Sequence, residues 1–153
     1  MGFSALKSLQ LTVIDMVQSP HPKPSYRVAL AIVRRAGSWL VARRHDHVHL
    51  GGMWEFPGGK CEPQESATQA ALRELHEECG IEATAERELS ELPCDYGDRI
   101  VILVPVMCQW RKGVPTPLAS QECRWVTIEE MRALDMPTVN ADILKAVLQA
   151  DAN

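Results

Sequence analysis

The sequence predicts an α+β fold in which helices pack on the faces of a mixed β-sheet. Segments of strand character recur along the chain, at Arg27–Arg34, Trp39–Arg43, Glu82–Arg87, Arg99–Trp110 and Glu122–Val126. Helical signatures are fewer, and the clearest spans Ala67–Cys79. The two kinds of segment do not alternate strictly, which disfavours an all-parallel sheet built from βαβ units.

Taken in order, the first residues offer a candidate strand at Leu9–Met16, followed by Ser19-Pro20-His21-Pro22-Lys23-Pro24. Such a proline run cannot enter a sheet or helix interior. Residues 1–25 therefore read as an amino-terminal arm and Pro-rich linker, and residues 26–153 as the domain proper. Arg27–Arg34 reads as a largely buried strand, Ala36-Gly37-Ser38 as a turn and Trp39–Arg43 as the return strand of a hairpin. His45–Gly52 is a polar loop. Trp54-Glu55-Phe56 is a short extended piece closed by Pro57-Gly58-Gly59.

Ser66 with Gln69 forms a capping box, and Gly80 is a helix-ending residue. Between them only Thr68 is β-branched, and Thr68, Ala71, Leu72, Leu75 and Cys79 fall on one predicted buried stripe. A Tyr96-Gly97-Asp98 turn leads into the Arg99–Trp110 strand, where Pro105 implies an edge or a bulge. Thr127 with Glu130 caps a short helix, and Ala141–Ala150 reads as a terminal amphipathic helix.

Bulk properties bound the function. A chain of 153 residues is the size of one compact domain, with 46% hydrophobic and 24% charged residues. A formal charge of −4 disfavours a nucleic-acid polymer as partner but leaves a single nucleotide open. The apolar runs are too short to span a bilayer, and Asp15 interrupts the amino-terminal candidate for a signal peptide. Five scattered cysteines without a CxxC pair suit a reducing compartment, so a cytoplasmic protein, monomeric or homodimeric, is expected.

Glu74, Glu77 and Glu78 stand at i, i+3 and i+4 of the predicted helix and share one face. Like charges at these spacings repel, and the helix dipole disfavours anions in the last turns. A hard divalent cation held by carboxylates and a backbone carbonyl would compensate. The competing reading is a solvated acidic face in which Arg73 pairs with Glu77 at i+4.

The wider spacing separates the two. Gly59, five residues, Glu65, seven residues, then Arg73-Glu74-Leu75-His76-Glu77-Glu78-Cys79-Gly80-Ile81 matches the Nudix box at every fixed position. From about Arg27 to Gln149 the chain resembles Nudix hydrolases, with the MutT-like branch most similar. That resemblance implies an α/β/α sandwich around a mixed sheet. It further implies Mg²⁺- or Mn²⁺-dependent hydrolysis of a nucleoside triphosphate to monophosphate and pyrophosphate, and links the branch to 8-oxo-dGTP and other oxidised purine nucleotides.

Ligands implied for the metal are Glu74, Glu77, Glu78 and the Gly58 carbonyl. Arg73 would orient a carboxylate, Glu74 or Glu77 would take the water proton, and Gly59, Glu65 and Gly80 would hold the motif in shape. Outside the box, Arg43-Arg44 and Trp54-Glu55-Phe56-Pro57-Gly58-Gly59-Lys60 are similar to the segments that precede it in MutT-like enzymes. They imply phosphate contact by Arg44 and a base pocket lined by Phe56 and Tyr96. Asn140 is implied to read the base edge, and also reads as the N-cap of the last helix.

One departure is plain: a glutamate expected six residues before Trp125 is Ala119 here, and Glu122 is out of register. His45, His47 and His49 alternate, but a loop need not present them together. The alternatives are hydrolysis of an ordinary pyrimidine nucleotide or another nucleoside diphosphate derivative, or a non-catalytic nucleotide sensor. Intact Glu65, Glu74, Glu77 and Glu78 favour the enzyme.

Overall fold

The computed structural model describes residues 21–152; the candidate strand at Leu9–Met16 and the start of the proline run lie outside them. The described chain meets the sheet at Pro24, whose carbonyl accepts a hydrogen bond from the Ile100 amide. Strands β1 (Ser25–Arg35) and β2 (Ser38–Arg43) form the expected hairpin, closed by Arg35 opposite Ser38. Ala36 and Gly37 have φ of 46° and 79°, the left-handed pair that suits a two-residue turn between twisted strands.

Away from the turn the hairpin opens, and the following segment fills the gap. β3 (Trp54–Glu55) pairs with the far end of β2, while β4 (Gly58–Lys60) pairs with Val28–Leu30 of β1. The Pro57-Gly58-Gly59 stretch is thus partly strand, not merely the closing turn expected. The reason is long-range: once β2 diverges, the edge of β1 has unpaired backbone groups that Gly58–Lys60 satisfies.

β7 (Ile100–Lys112) lies parallel to β1 along Ser25–Arg34. On its other side β5 (Glu82–Glu88) and β6 (Leu92–Asp95) run antiparallel in tandem, and β8 (Glu122–Val126) borders β2. The result is a mixed sheet of eight strands among the described residues. Pro105 sits inside this sheet, not at an edge. Its carbonyl accepts from the Leu89 amide, so its missing N–H faces the break between β5 and β6, where no strand needs it. The bulge lies beside it in β5, between Ala85 and Arg87.

Both faces of the sheet are covered. Ala29, Ala31 and Val33 of β1 join Val104, Val106 and Cys108 of β7 under α1 (Ala67–Cys79). Ile32, Leu103 and Met107 point the other way, under α2 (Ile128–Arg132) and α3 (Val139–Asp151) through Met131, Ile143 and Val147. The period-two alternation of strand side chains thus produces an α/β/α sandwich with two cores, as expected.

The capping box of α1 forms as predicted, with Gln69 N–H donating to Ser66 Oγ and Ser66 N–H to the Gln69 side chain. Gly80 ends the helix at φ 65°. The buried stripe is shifted from the expected one. Ala67 and Ala70 are buried, whereas Leu72 is only partly so and Thr68 turns aside to donate to Glu88. Small residues let α1 lie close to the sheet, which a stripe centred on Leu72 would not. No helix among the described residues is long and apolar enough to cross a membrane.

Candidate active site

The cap and stop of α1 fix its rotation, and with it the direction of four charged side chains. Arg73 is the hub. Its Nε and Nη2 bind the two Glu65 oxygens at 2.8 and 2.9 Å, its Nη1 reaches Glu74 at 2.9 Å and Glu77 at 3.2 Å, and Nη2 also donates to the Lys60 carbonyl at 3.1 Å. This two-point grip, with the Glu62 amide donating to Glu65, holds the Glu65 carboxyl down to about 2. The same grip pushes Arg73 further up. Glu65 therefore ties the loop before α1 to the middle of the helix.

Glu74 and Glu78 turn toward the two glycines. An added Cβ at Gly59 would meet Glu74 Oε1 at 2.5 Å, so the carboxylate lies directly on the Gly59 backbone. At Gly58 an added Cβ would come within 2.1 Å of the Ala29 carbonyl. Gly58 is thus required by the close approach of a backbone strand, whereas a side chain at Gly59 would push the Glu74 carboxylate from its present place. Glu78 Oε2 accepts from the Gly58 amide at 3.2 Å.

Burial pushes the Glu78 carboxyl up to about 8. The Gly58 N–H opposes this, while a hydrogen bond to Glu74 and the charges of Glu74 and Glu55 add to it. Two carboxyls in contact at a half-buried place suit a hard cation and are poorly served without one. Glu77 is different: its side chain is 57% exposed and paired with Arg73, so the helix brings Glu74 and Glu78 together and leaves Glu77 at the rim. Consistent with this, no group of three or more His, Cys, Asp or Glu side chains forms a ready-made metal cluster among the described residues.

Gly58 and Glu78 open onto a cavity of about 430 Å³ between the splayed hairpin and α3. Phe56, buried at the end of β3, forms part of its wall, and Tyr96, half exposed, stands at its edge with the Arg99 guanidinium 5.3 Å from its ring. The turn bearing Tyr96 is closed by its amide donating to the Arg99 carbonyl and by the Gly97 amide donating to Asp95.

Asn140 reaches the same cavity, but not as the N-cap expected of it. The helix starts earlier, with Thr138 as its first flanking residue and the Asn140 amide already bonded to the Pro137 carbonyl. Asn140 thus lies inside the first turn at 8% exposure, and no described residue hydrogen-bonds its carboxamide.

Arg44 also borders the cavity, held by its neighbours. Its Nη1 bonds both oxygens of Glu55 at 3.1 and 3.2 Å, and its Nε donates to the His49 carbonyl at 2.8 Å. Sequence reasoning missed Glu55. Its burial raises the carboxyl's pKa against the pull of Arg44, and it is a second acid facing the cavity with Glu78. The available signal was a lone charge between two buried aromatics, Trp54 and Phe56.

Ala119 lines the cavity and supplies no acid, while Glu122 lies elsewhere with an oxygen 3.7 Å from Arg124. His45 and His47 stack on each other, and only His49 of the alternating trio borders the cavity.

Comparison with known proteins places these features in a family. A family model described as NUDIX domain matches residues 28–146. The chain is 39% identical to the CTP pyrophosphohydrolase of Escherichia coli (strain K12) over 116 residues, covering 76% of this chain and 84% of that protein. It is 29% identical over 119 residues to the 8-oxo-dGTP diphosphatase of the same organism, covering 77% and 92%. Among solved structures, the solution structure of the E. coli ORF135 protein superposes with a TM-score of 0.74 at 32% identity, covering 85% of this chain and 93% of that one.

Proposed function

The chain belongs to the Nudix family and is a hydrolase of that type, and from this premise we propose that it converts a nucleoside triphosphate and water to the monophosphate and pyrophosphate. The observation carrying this reading is the contact of Glu74 and Glu78 beside Gly58, at a cavity walled by Phe56, Tyr96 and Asn140. The cavity has room for a base and sugar, and the crowded carboxyls lie where the phosphates would emerge.

Glu74, Glu78 and the Gly58 carbonyl are the oxygens that would hold a divalent cation, with Glu77 rotating in from the rim. When bound, Mg²⁺ or Mn²⁺ neutralises phosphate charge and lowers the pKa of water. The chain's own residues do the rest. Arg73 fixes Glu74 and restrains Glu77, and one of these two carboxylates takes the proton from the attacking water. Arg44 presents a guanidinium to the phosphates once its Glu55 pair is shared.

The base we assign is an oxidised purine such as that of 8-oxo-dGTP. Asn140 supports it, because a buried carboxamide with no hydrogen-bond partner among the described residues offers both a donor and an acceptor to a base edge. A second reading, a pyrimidine triphosphate, is favoured by the higher identity to the CTP pyrophosphohydrolase. Initial rates of pyrophosphate release with Mg²⁺ on 8-oxo-dGTP, dGTP and CTP decide between them. The oxidised purine should have the highest kcat/KM. A preference for CTP would replace the first reading with the second, and no release from any nucleotide would leave a binding domain.

A further inference from the structure

Two of the five cysteines meet beside the active site. Cys79 ends α1 one residue after Glu78 and is fully buried, while Cys123 stands half-buried on β8. Both are free thiols, and their Sγ atoms lie 3.6 Å apart. Ser120 Oγ, whose residue lines the cavity, is 3.4 Å from Cys123 Sγ. The strip between the two elements is stitched to the helix end: the Leu118 amide donates to the Glu78 carbonyl and the Thr116 amide to that of Cys79.

We propose that Cys79 and Cys123 are a redox-active dithiol, closed to a disulfide by a hydroperoxide, and that closure lowers hydrolysis by shifting Glu78 or the cavity-lining Ala119-Ser120 strip. A disulfide needs about 2.05 Å between sulfurs, so the present gap must shorten by about 1.5 Å. Cys79 sits in a close-packed core that does not absorb such a shift locally. Either the end of α1 or the 118–123 strip must move, and the two carry Glu78 and Ala119-Ser120 respectively. A displacement near 1 Å at a reacting centre lowers rates by roughly 10²-fold.

Cys123 is the attacking thiol, because it is the more accessible of the two. Donation from Cys79, helped by Ser120, outweighs burial and draws its pKa down to about 7. The Cys123 thiolate attacks one peroxide oxygen, the O–O bond breaks, and the leaving oxygen takes a proton to become water, leaving a sulfenic acid. Cys79 sulfur then attacks Cys123 sulfur, the S–O bond breaks, and the departing hydroxide takes the Cys79 proton. Two thiols are oxidised by two electrons, and one hydrogen peroxide is reduced to two waters.

Stoichiometric hydrogen peroxide on the reduced protein, then alkylation and tryptic mapping, tests the pair without reference to activity. Cys79 lies in tryptic peptide 74–87 and Cys123 in 113–124, each the sole cysteine of its peptide. The expected product is these two peptides joined, two hydrogens lighter than their sum and separated by dithiothreitol. Their absence, or linkage to Cys61, Cys94 or Cys108, overturns the proposal. The regulatory half rests on the hydrolase reading: turnover should fall at least tenfold on oxidation and return on reduction. Cys123→Ser should start at wild-type activity and keep it in peroxide. A mapped disulfide with unchanged turnover refutes regulation alone, whereas a chain inactive on every nucleotide even when reduced refutes the hydrolase reading and leaves the mapping to stand.

Discussion

Metal-free protein should lose stability as the pH rises from about 5 to about 9, and Glu78→Gln should remove most of that loss. Burial is the main reason the folded Glu78 carboxyl titrates at about 8, with Glu74 and Glu55 adding to it against the Gly58 N–H. In the unfolded chain a glutamate titrates near ~4.3. Between these two values the folded state keeps a proton that the unfolded state has released. The stability tied to this group is therefore complete below about pH 4.3 and is lost as the pH climbs through about 8.

The full separation corresponds to a ceiling of about 5 kcal/mol. Glu78 is only half-buried, and solvent screening reduces this to roughly 2–3 kcal/mol. Glutamine keeps the shape and stays neutral. Cys123, drawn down to about 7, also titrates in this range but is common to both proteins and largely cancels in the difference. The assay is urea unfolding in EDTA across the pH range. Wild type should fall relative to Glu78→Gln by the stated amount, and Mg²⁺ should restore wild type at high pH by binding the ionised carboxylates. Parallel pH profiles for the two proteins in EDTA would refute the placement of Glu78.

Two further substitutions follow from the geometry. Gly58→Ala places a Cβ 2.1 Å from the Ala29 carbonyl, a backbone atom that cannot rotate away, so β4 must part from β1. A loss of about 3 kcal/mol is expected by urea unfolding, and an unchanged midpoint would contradict the pairing. Arg73→Lys replaces a two-point grip with a point charge, so kcat should drop roughly 10–100-fold with KM little changed. Glu65, held near 2 by Arg73, contributes stability present above about pH 4.5 and lost as pH falls through 2. The lysine variant should accordingly begin acid unfolding at a higher pH than wild type, monitored by circular dichroism.

What was legible in the sequence is what depends on neighbours along the chain. The capping box at Ser66 and Gln69 and the left-handed Gly80 are set within one helix and are found where their spacing put them, whereas of the three glutamates Glu77 lies at the rim with Arg73. Pro57-Gly58-Gly59 read as a closing turn because turn chemistry is local, whereas its pairing answers the need of a β1 edge nearly thirty residues away. Asn140 was misread as a cap for a related reason. The turn at Pro137 starts the helix early, so the carboxamide is released from capping and left facing the cavity.

The acids of the cavity make the sharper case. Ala119 occupies the position where register called for a carboxylate, yet a second carboxylate does face the cavity with Glu78, brought there by β3 as Glu55 and held by Arg44. A negative charge at a given point in space can be supplied from any strand that passes it. Fixed spacing therefore predicts the charges carried by one helix, but the charge of the cavity as a whole depends on which strands lie side by side. That is set by the opening of the β1–β2 hairpin, a feature no window of the sequence contains.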